Sequence, residues 1–365
     1  MVDPPAPDGA DVLNEARSFM ARFVAFPSPA ALDLAVLWAA HTWCTGTDDK
    51  LLFDSTPRLA YLSDLPASGK SRALEVTCAL SRKAALIADV TGPALHVLVA
   101  SGATLAVDEL DLVLGSGDGA KPVRAVINSG YRRSGQVARN KGLASTFAPC
   151  ALAGLRSVFD RNPLLAATRS RAIAVEMSPN AGKVALDRWR ERIHVPAAAA
   201  IGAAMGAWAQ SATVELVTTF PAMPDDCEDR LLDLWEPLFI LAACAGGEWP
   251  ARCLAAFGEL GASTSNSVPA IPPGMRLLAD IRAVWPENAT RVSTAYLVQL
   301  LMTAPGSVWP SAWKDAAAIP VEMAAMLRPY GAGPRKLRVS PGASPVQGYF
   351  RSDLVPAVPA AEAAA

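Results

Sequence analysis

The stretch from residue 58 to residue 82 constrains this chain most. Arg58-Leu59-Ala60-Tyr61-Leu62-Ser63 is a short apolar run that reads as a buried strand. It enters Asp64-Leu65-Pro66-Ala67-Ser68-Gly69-Lys70-Ser71, and a helical pattern follows to about Arg82. A strand that turns through a glycine into a helix aims backbone N–H groups and a positive helix end at one point. Gly69 permits close backbone approach, Lys70 brings a cation, and the Ser71 hydroxyl suits the shell of a divalent metal. The chemistry that fits is a nucleoside triphosphate with magnesium, that is, ATP and Mg2+. The expected contacts are Ser68, Gly69, Lys70, Ser71 and Arg72, with Ser71 on the metal. The full pattern G-x-x-x-x-G-K-[ST] has lost its first glycine to Asp64. The competing reading is a surface turn with an exposed lysine.

A second run makes the triphosphate reading more specific. Residues 103–107 are apolar and end in Asp108-Glu109. In a doubly wound sheet the end of that strand lies beside the phosphate loop. Asp108 would orient the magnesium shell, and Glu109 would position and polarise the attacking water. The alternative is an ordinary strand end with a solvated acidic turn. Further strands are expected at 84–88, 146–155 and 171–177, with helices at 93–100 and 118–132 between them. Strands alternating with helices predict an α/β fold with a mostly parallel sheet.

The other charged and aromatic residues leave alternatives open. Lys121, Arg124, Arg132, Arg133, Arg139 and Lys141 occupy 121–141 without an acid. They read as a nucleic-acid-facing helix and loop, as a source of an arginine for a neighbouring site, or as a solvated face. Arg171, with Arg169 beside it, is the preferred arginine for the γ-phosphate, against a structural salt bridge. His41 is a candidate for the adenine side, against a satisfied histidine at a helix end.

The chain divides into a disordered start (1–10), a helical segment (11–54), the ATPase core (55–180) and a helical lid (181–262). After a polar linker at 261–274 comes a module at 275–354, then a loose tail (355–365). That module reads helix, helix, helix, then a hairpin at 335–339 and 348–350, an order that suits a winged helix. Its wing carries Arg335, Lys336 and Arg338, which would touch DNA phosphates; a protein-contact role is the alternative. The chain has 52% hydrophobic residues, 18% charged residues and a formal net charge of −1. A globular protein is expected, without a global field for nucleic acid. The six cysteines include no CxxC pair and the three histidines have no ligand-like spacing, which argues against zinc. No signal peptide or membrane span is read, so a cytoplasmic location is expected.

Several longer motifs recur in order. Phe26-Pro27-Ser28 and Trp38-Ala39-Ala40-His41-Thr42-Trp43 precede Thr56-Pro57-Arg58-Leu59, Ser68-Gly69-Lys70-Ser71-Arg72 and Val107-Asp108-Glu109. Asn128-Ser129-Gly130-Tyr131-Arg132-Arg133 and Phe147-Ala148-Pro149 follow, and then Asp229-Arg230 and Leu234-Trp235-Glu236-Pro237-Leu238. Gly246-Gly247-Glu248-Trp249-Pro250, Leu327-Arg328-Pro329-Tyr330-Gly331 and Gly348-Tyr349 close the series. Over residues 23–354 the chain resembles a family of P-loop proteins catalogued as a domain of unknown function, found in actinobacteria, their phages and mobile elements. The resemblance implies an AAA+ core like that of replicative helicases, with strand order 5-1-4-3-2. It also implies a homo-oligomeric ring, often a hexamer, acting with replication proteins. Two departures stand out: Asp64 in place of the glycine, and Cys150-Ala151-Leu152-Ala153 without the usual polar sensor. Arg230 is a candidate sensor from the lid. The function these features predict is an ATP-driven DNA motor in phage or mobile-element replication. The alternative is a nucleotide-gated regulatory or interaction protein without helicase activity.

Overall fold

The computed structural model describes residues 7–45, 52–114, 119–139, 142–180, 183–224, 227–261, 273–305, 307–313, 318–338 and 344–354. The chain forms two compact units, Met1–Asn266 and Ser267–Ala365.

The first unit opens with α1 (Gly9–Phe23), whose N-terminus is capped by the Asp8 side chain accepting from the Asp11 N–H at 3.0 Å. Ordered helix therefore begins inside the stretch expected to be disordered. Ser28 caps α2 (Pro29–His41). Every residue of α2 from Ala30 to His41 is buried. A helix apolar on all sides must be surrounded, and this one is.

The alternating pattern then unfolds in order. It runs β1 (Arg58–Leu62), α3 (Lys70–Leu80), β2 (Ala84–Ile87), α4 (Gly92–Ala100) and β3 (Thr104–Val107). Next come α5 (Leu110–Val113), α6 (Ala120–Ser129), a hairpin of β4 (Gln136–Arg139) and β5 (Gly142–Ser145), and β6 (Cys150–Gly154). After α7 (Arg156–Arg161) and α8 (Ala166–Arg169), β7 (Ala172–Glu176) completes the sheet. Four further helices follow: α9 (Glu191–Ser211), α10 (Thr213–Thr218), α11 (Asp229–Ala245) and α12 (Trp249–Ala256).

The sheet has five strands in the order β2-β3-β6-β1-β7, all parallel. Numbered in chain order, these five read 5-1-4-3-2 across the sheet. Side chains alternate across it. Leu59, Tyr61, Ala151, Ala153, Ile173 and Val175 face one core, while Ala60, Leu62, Val107, Cys150 and Leu152 face the other. The first of these cores also contains the buried faces of α1, α2, α3, α9, α11 and α12. The segments expected as an N-terminal module and a separate lid thus share a single hydrophobic layer with the sheet.

Two pieces of strand were not foreseen. The basic segment expected as helix and loop ends α6 at Ser129 and continues as the β4–β5 hairpin. In the second unit, β8 (Arg291–Ser293) pairs antiparallel with β10 (Val346–Phe350), and β9 (Arg335–Leu337) flanks β10 on its other side. Around this small sheet pack α13 (Pro273–Val284), α14 (Thr294–Thr303), α15 (Trp309–Ala312), α16 (Ile319–Leu327) and α17 (Arg351–Leu354). Among the described residues no helix is long and apolar enough to cross a membrane.

The strand β1, interior to the sheet, begins with an unusual buried charge. Arg58 is 1% exposed, and its guanidinium donates to the carbonyls of Ile127 (2.6 Å) and Ala148 (2.8 Å). Burial pushes its pKa down to about 10, so it stays charged at neutral pH. It ties the end of α6 and the approach to β6 onto β1. Arg58→Met would strip two buried carbonyls of their donors, a loss only partly offset by removing a desolvated charge. A drop of about 2–3 kcal/mol in unfolding free energy is expected in urea titration.

Candidate nucleotide site

In a parallel sheet the C-terminal ends of all strands share one edge, and ligands bind outside it. The ends of β1, β3, β6 and β7 place the phosphate loop, Asp108, Arg156 and Met177 there. The loop leaves β1 with the Ser63 N–H donating to the Gly154 carbonyl at 3.2 Å. Ala67 and Gly69 adopt left-handed backbone, with φ of 54° and 84°. The second of these turns the chain into α3, and only the end of the Met177 side chain, 3.9 Å away, approaches the position a Cβ would take.

The start of α3 has groups that can receive an anion. The opening N–H groups of a helix have no intrahelical partner, and no side chain caps this one. Asp8, Ser28 and Thr91 close α1, α2 and α4, whereas α6, α7, α9, α11 and α12 also start without a side-chain cap, so the open N–H groups of α3 count here only together with its neighbours. Just before it, Ser68 is buried and its hydroxyl has no partner among the described residues. An uncapped helix start, an orphaned hydroxyl and the half-buried Lys70 converge on one turn.

Across β6, the second cluster meets the first. Asp108 Oδ1 accepts from the Ser71 hydroxyl at 3.3 Å and from the Glu109 N–H at 3.0 Å. A hydroxyl and a carboxylate paired in this way are hard oxygen ligands of the type magnesium takes. Glu109 is exposed and sits in left-handed backbone, φ 53° and ψ 56°. That conformation costs a non-glycine residue about 1–2 kcal/mol. It is held from below, where Leu110 packs so closely on Gly154 that a Cβ there would lie 2.4 Å from Leu110 Cγ.

Sequence reasoning missed what Asp64 does. Its carboxylate accepts from the backbone N–H (2.9 Å) and hydroxyl (2.7 Å) of Ser157, at the start of α7. Those bonds lower its pKa. The residue that replaced the motif glycine thus anchors the loop to the end of β6. Arg156 stands beside it, with Nε 2.7 Å from Asp160 and a guanidinium nitrogen 3.4 Å from Glu176. No local pattern links residues 64 and 157, so nothing in the sequence signals this tie.

Several expected site residues lie elsewhere. Arg72 pairs with Glu75 at 2.8 Å and covers the Trp189 ring at 5.8 Å, leaving its backbone N–H as its possible contribution. Arg171 precedes β7, at the opposite edge of the sheet, one five-residue strand or roughly 16 Å away. Its guanidinium lies 4.8 Å from the Tyr131 ring centre and donates to the Ala167 carbonyl. It is not part of its own chain's site. Arg169 donates to the Phe159 carbonyl.

The expected nucleic-acid residues are also scattered. Arg132 is paired with Asp233 in a mixed-charge pocket of about 470 Å³ that includes Asp54, Arg133 and Glu236. Burial, then Asp54 and Asp233, raise the Glu236 pKa. The Arg133 N–H donates to the Asp54 carbonyl at 2.9 Å. Arg139 belongs to β4 by its backbone, and Lys141 lies outside the described residues. Arg335 pairs with Asp353, while Lys336 and Arg338 are exposed.

Residues 177–359 match the model of a family described as "Protein of unknown function (DUF3631)". The chain belongs to that family. The match starts at Met177, after the last strand of the sheet, so the phosphate loop and Asp108–Glu109 precede it. A curated relative, the "uncharacterized 28.9 kDa protein in xis 5'region" of Saccharopolyspora erythraea, is 35% identical over 113 residues. That alignment spans 31% of this chain and 41% of the relative. Among solved structures, a full-length MCM homologue from Methanopyrus kandleri superposes with a TM-score of 0.39 and 16% identity. That superposition covers 71% of this chain and 62% of the homologue. It is too loose to bear on the chemistry.

His41 does not reach a nucleotide. It is fully buried, its Nδ1–H donates to the Trp38 carbonyl, and its Nε2 accepts from the Thr56 hydroxyl at 2.8 Å. Burial pushes its pKa down from 6.5 to about 4. The unfolded chain therefore takes up the proton first as the pH falls. Stability is full above pH 6.5 and drops between pH 6.5 and 4, by as much as about 3 kcal/mol. Urea midpoints at pH 7 and pH 5 should differ in the parent protein and differ less in His41→Gln.

Proposed function

We propose that this chain binds ATP with magnesium at the end of β1, hydrolyses it, and works on DNA as an oligomer in phage or mobile-element replication. The observation that carries the nucleotide part is the 3.3 Å contact between Ser71 and Asp108 beside an uncapped helix start. The orphaned Ser68 hydroxyl and the open N–H groups of α3 fit phosphate oxygens. Ser71 and Asp108 would hold magnesium, whose charge would offset that of the phosphates. Lys70 would bind the outer phosphate. Glu109 would take a proton from water as its oxygen attacks the γ-phosphorus and ADP leaves.

The order of the five parallel strands supports an AAA+-type core. In a ring of copies, Arg169 or Arg171 at the far edge of the sheet would serve the phosphate of a neighbour. The acid-free segment 121–141, with its exposed β4–β5 hairpin, supports a nucleic-acid contact. In the second unit the order α13-β8-α14-α16-β9-β10 is compatible with a winged helix, with Lys336 and Arg338 on its hairpin. The pairing of Arg132 with Asp233 and of Arg335 with Asp353 favours a second reading, a nucleotide-gated regulatory or interaction protein.

Lys70→Ala should abolish binding of a fluorescent ATP analogue. Glu109→Gln should bind it normally and turn ATP over at least about a hundredfold more slowly. Hydrolysis by Glu109→Gln at the parent rate would remove Glu109 as the base. Turnover stimulated by single-stranded DNA supports the motor, and ATP-dependent assembly without stimulation supports the switch.

A further inference from the structure

The second unit holds a groove that the nucleotide site does not use. It encloses about 740 Å³ between α16, the start of α14 and the start of β10. The helix α16 has two apolar stripes. Ile319, Met323 and Leu327 enter the core, whereas Val321, Ala324 and Ala325 line the groove together with Arg328, the first residue past the helix. The second set has the i, i+3, i+4, i+7 spacing of one helix face, yet Val321 is 72% exposed. In a DNA-docking winged helix this helix would meet the major groove. Along the helix itself this stripe is valine and alanine, and Arg328 just past its end is the one donor it offers to base edges.

One end of the groove is polar. Thr294 lines it, is 6% exposed, and its hydroxyl has no partner among the described residues. It is the first residue of α14, whose cap Ser293 already engages the Tyr296 N–H. The opening N–H groups of that helix add partial positive charge at the same end. Arg328 lines the groove, and so does Gln347, which sits opposite Lys336 in the β9–β10 register. None of the described residues lining it is acidic.

We propose that this groove docks a short apolar segment of a partner protein, with a carboxylate of that segment seated on Arg328, Lys336 and the Thr294 hydroxyl. The apolar stripe takes the side chains, and the cations on the rim select the charge. This docking stands apart from the nucleotide reading, because it needs neither ATP nor the loop after β1.

The test is selection of random dodecapeptides displayed on phage against the full-length protein. Enriched peptides should combine apolar residues with Asp or Glu. Their binding, followed by fluorescence anisotropy, should weaken about tenfold or more with Val321→Lys, a change at an exposed position. Thr294→Val should weaken it as well. Arg328→Glu should move the selected sequences from acidic to basic, a switch that a merely structural role would not produce. Circular dichroism melting confirms that each variant is folded. Failure to enrich any sequence, or peptides indifferent to Val321→Lys and Arg328→Glu, overturns the proposal. So does displacement of the peptides by duplex DNA. A chain ending at Leu354 that binds the peptides several-fold better would make residues 355–365 the occupant instead.

Discussion

The N-terminal unit depends on one constraint: β1 is buried on both faces and both edges. Arg58 to Leu62 are all inaccessible, paired with β6 on one side and β7 on the other. Leu59 and Tyr61 enter the helical layer, while Ala60 and Leu62 enter the opposite core. A slip of one residue would exchange those sets between the two faces, so the register is strongly specified. The two ends of the strand then have separate tasks. Arg58 gathers carbonyls at the start, and the phosphate loop leaves at the finish between Gly154 and Glu176. The loop can therefore find Ser157 on one flank and Met177 on the other.

Much of this was readable because each local signal agreed with its neighbours. The apolar runs at 58–62, 104–107, 150–154 and 172–176 are short, bounded by turn residues and separated by helical patterns. A serine before a proline suits a helix start, and the Ser28 hydroxyl caps α2, accepting from the Ala31 N–H at 3.1 Å. The pair Asp108–Glu109 was recognisable because an apolar strand ended in two acids, and Ser71 meets the first of them.

What escaped the sequence was long-range or too small to carry a period. Gln136-Val137-Ala138-Arg139 and Gly142-Leu143-Ala144-Ser145 bury little, so their alternation is weak, and they pair through the backbone instead. The three residues of β8 are fewer than any periodicity needs. The shared core of the N-terminal and later helices was hidden for the opposite reason. With α2 buried at every position after Pro29, no polar face shows which partner lies where. His41 illustrates the same limit at one residue. Its place at a helix end left a ligand role open beside the favoured core position, and the engagement of both ring nitrogens decides for the core.

Charge is the quantity the sequence ranked least well. Arginines counted along 121–141 suggested an open positive face, but a count of cations ignores where the acids come from. Asp233 lies a hundred residues downstream and neutralises Arg132, and Asp353 does the same for Arg335. Apolar exposure behaves differently, because nothing elsewhere among the described residues of the C-terminal unit covers Val321. An ion pair formed within the chain lowers the net positive charge that a surface offers to phosphate, although an exposed pair is weak. An apolar stripe left in water keeps its full hydrophobic driving force for association. In the C-terminal unit the α16 face keeps that driving force, while Lys336 and Arg338 stay exposed beside the paired Arg335.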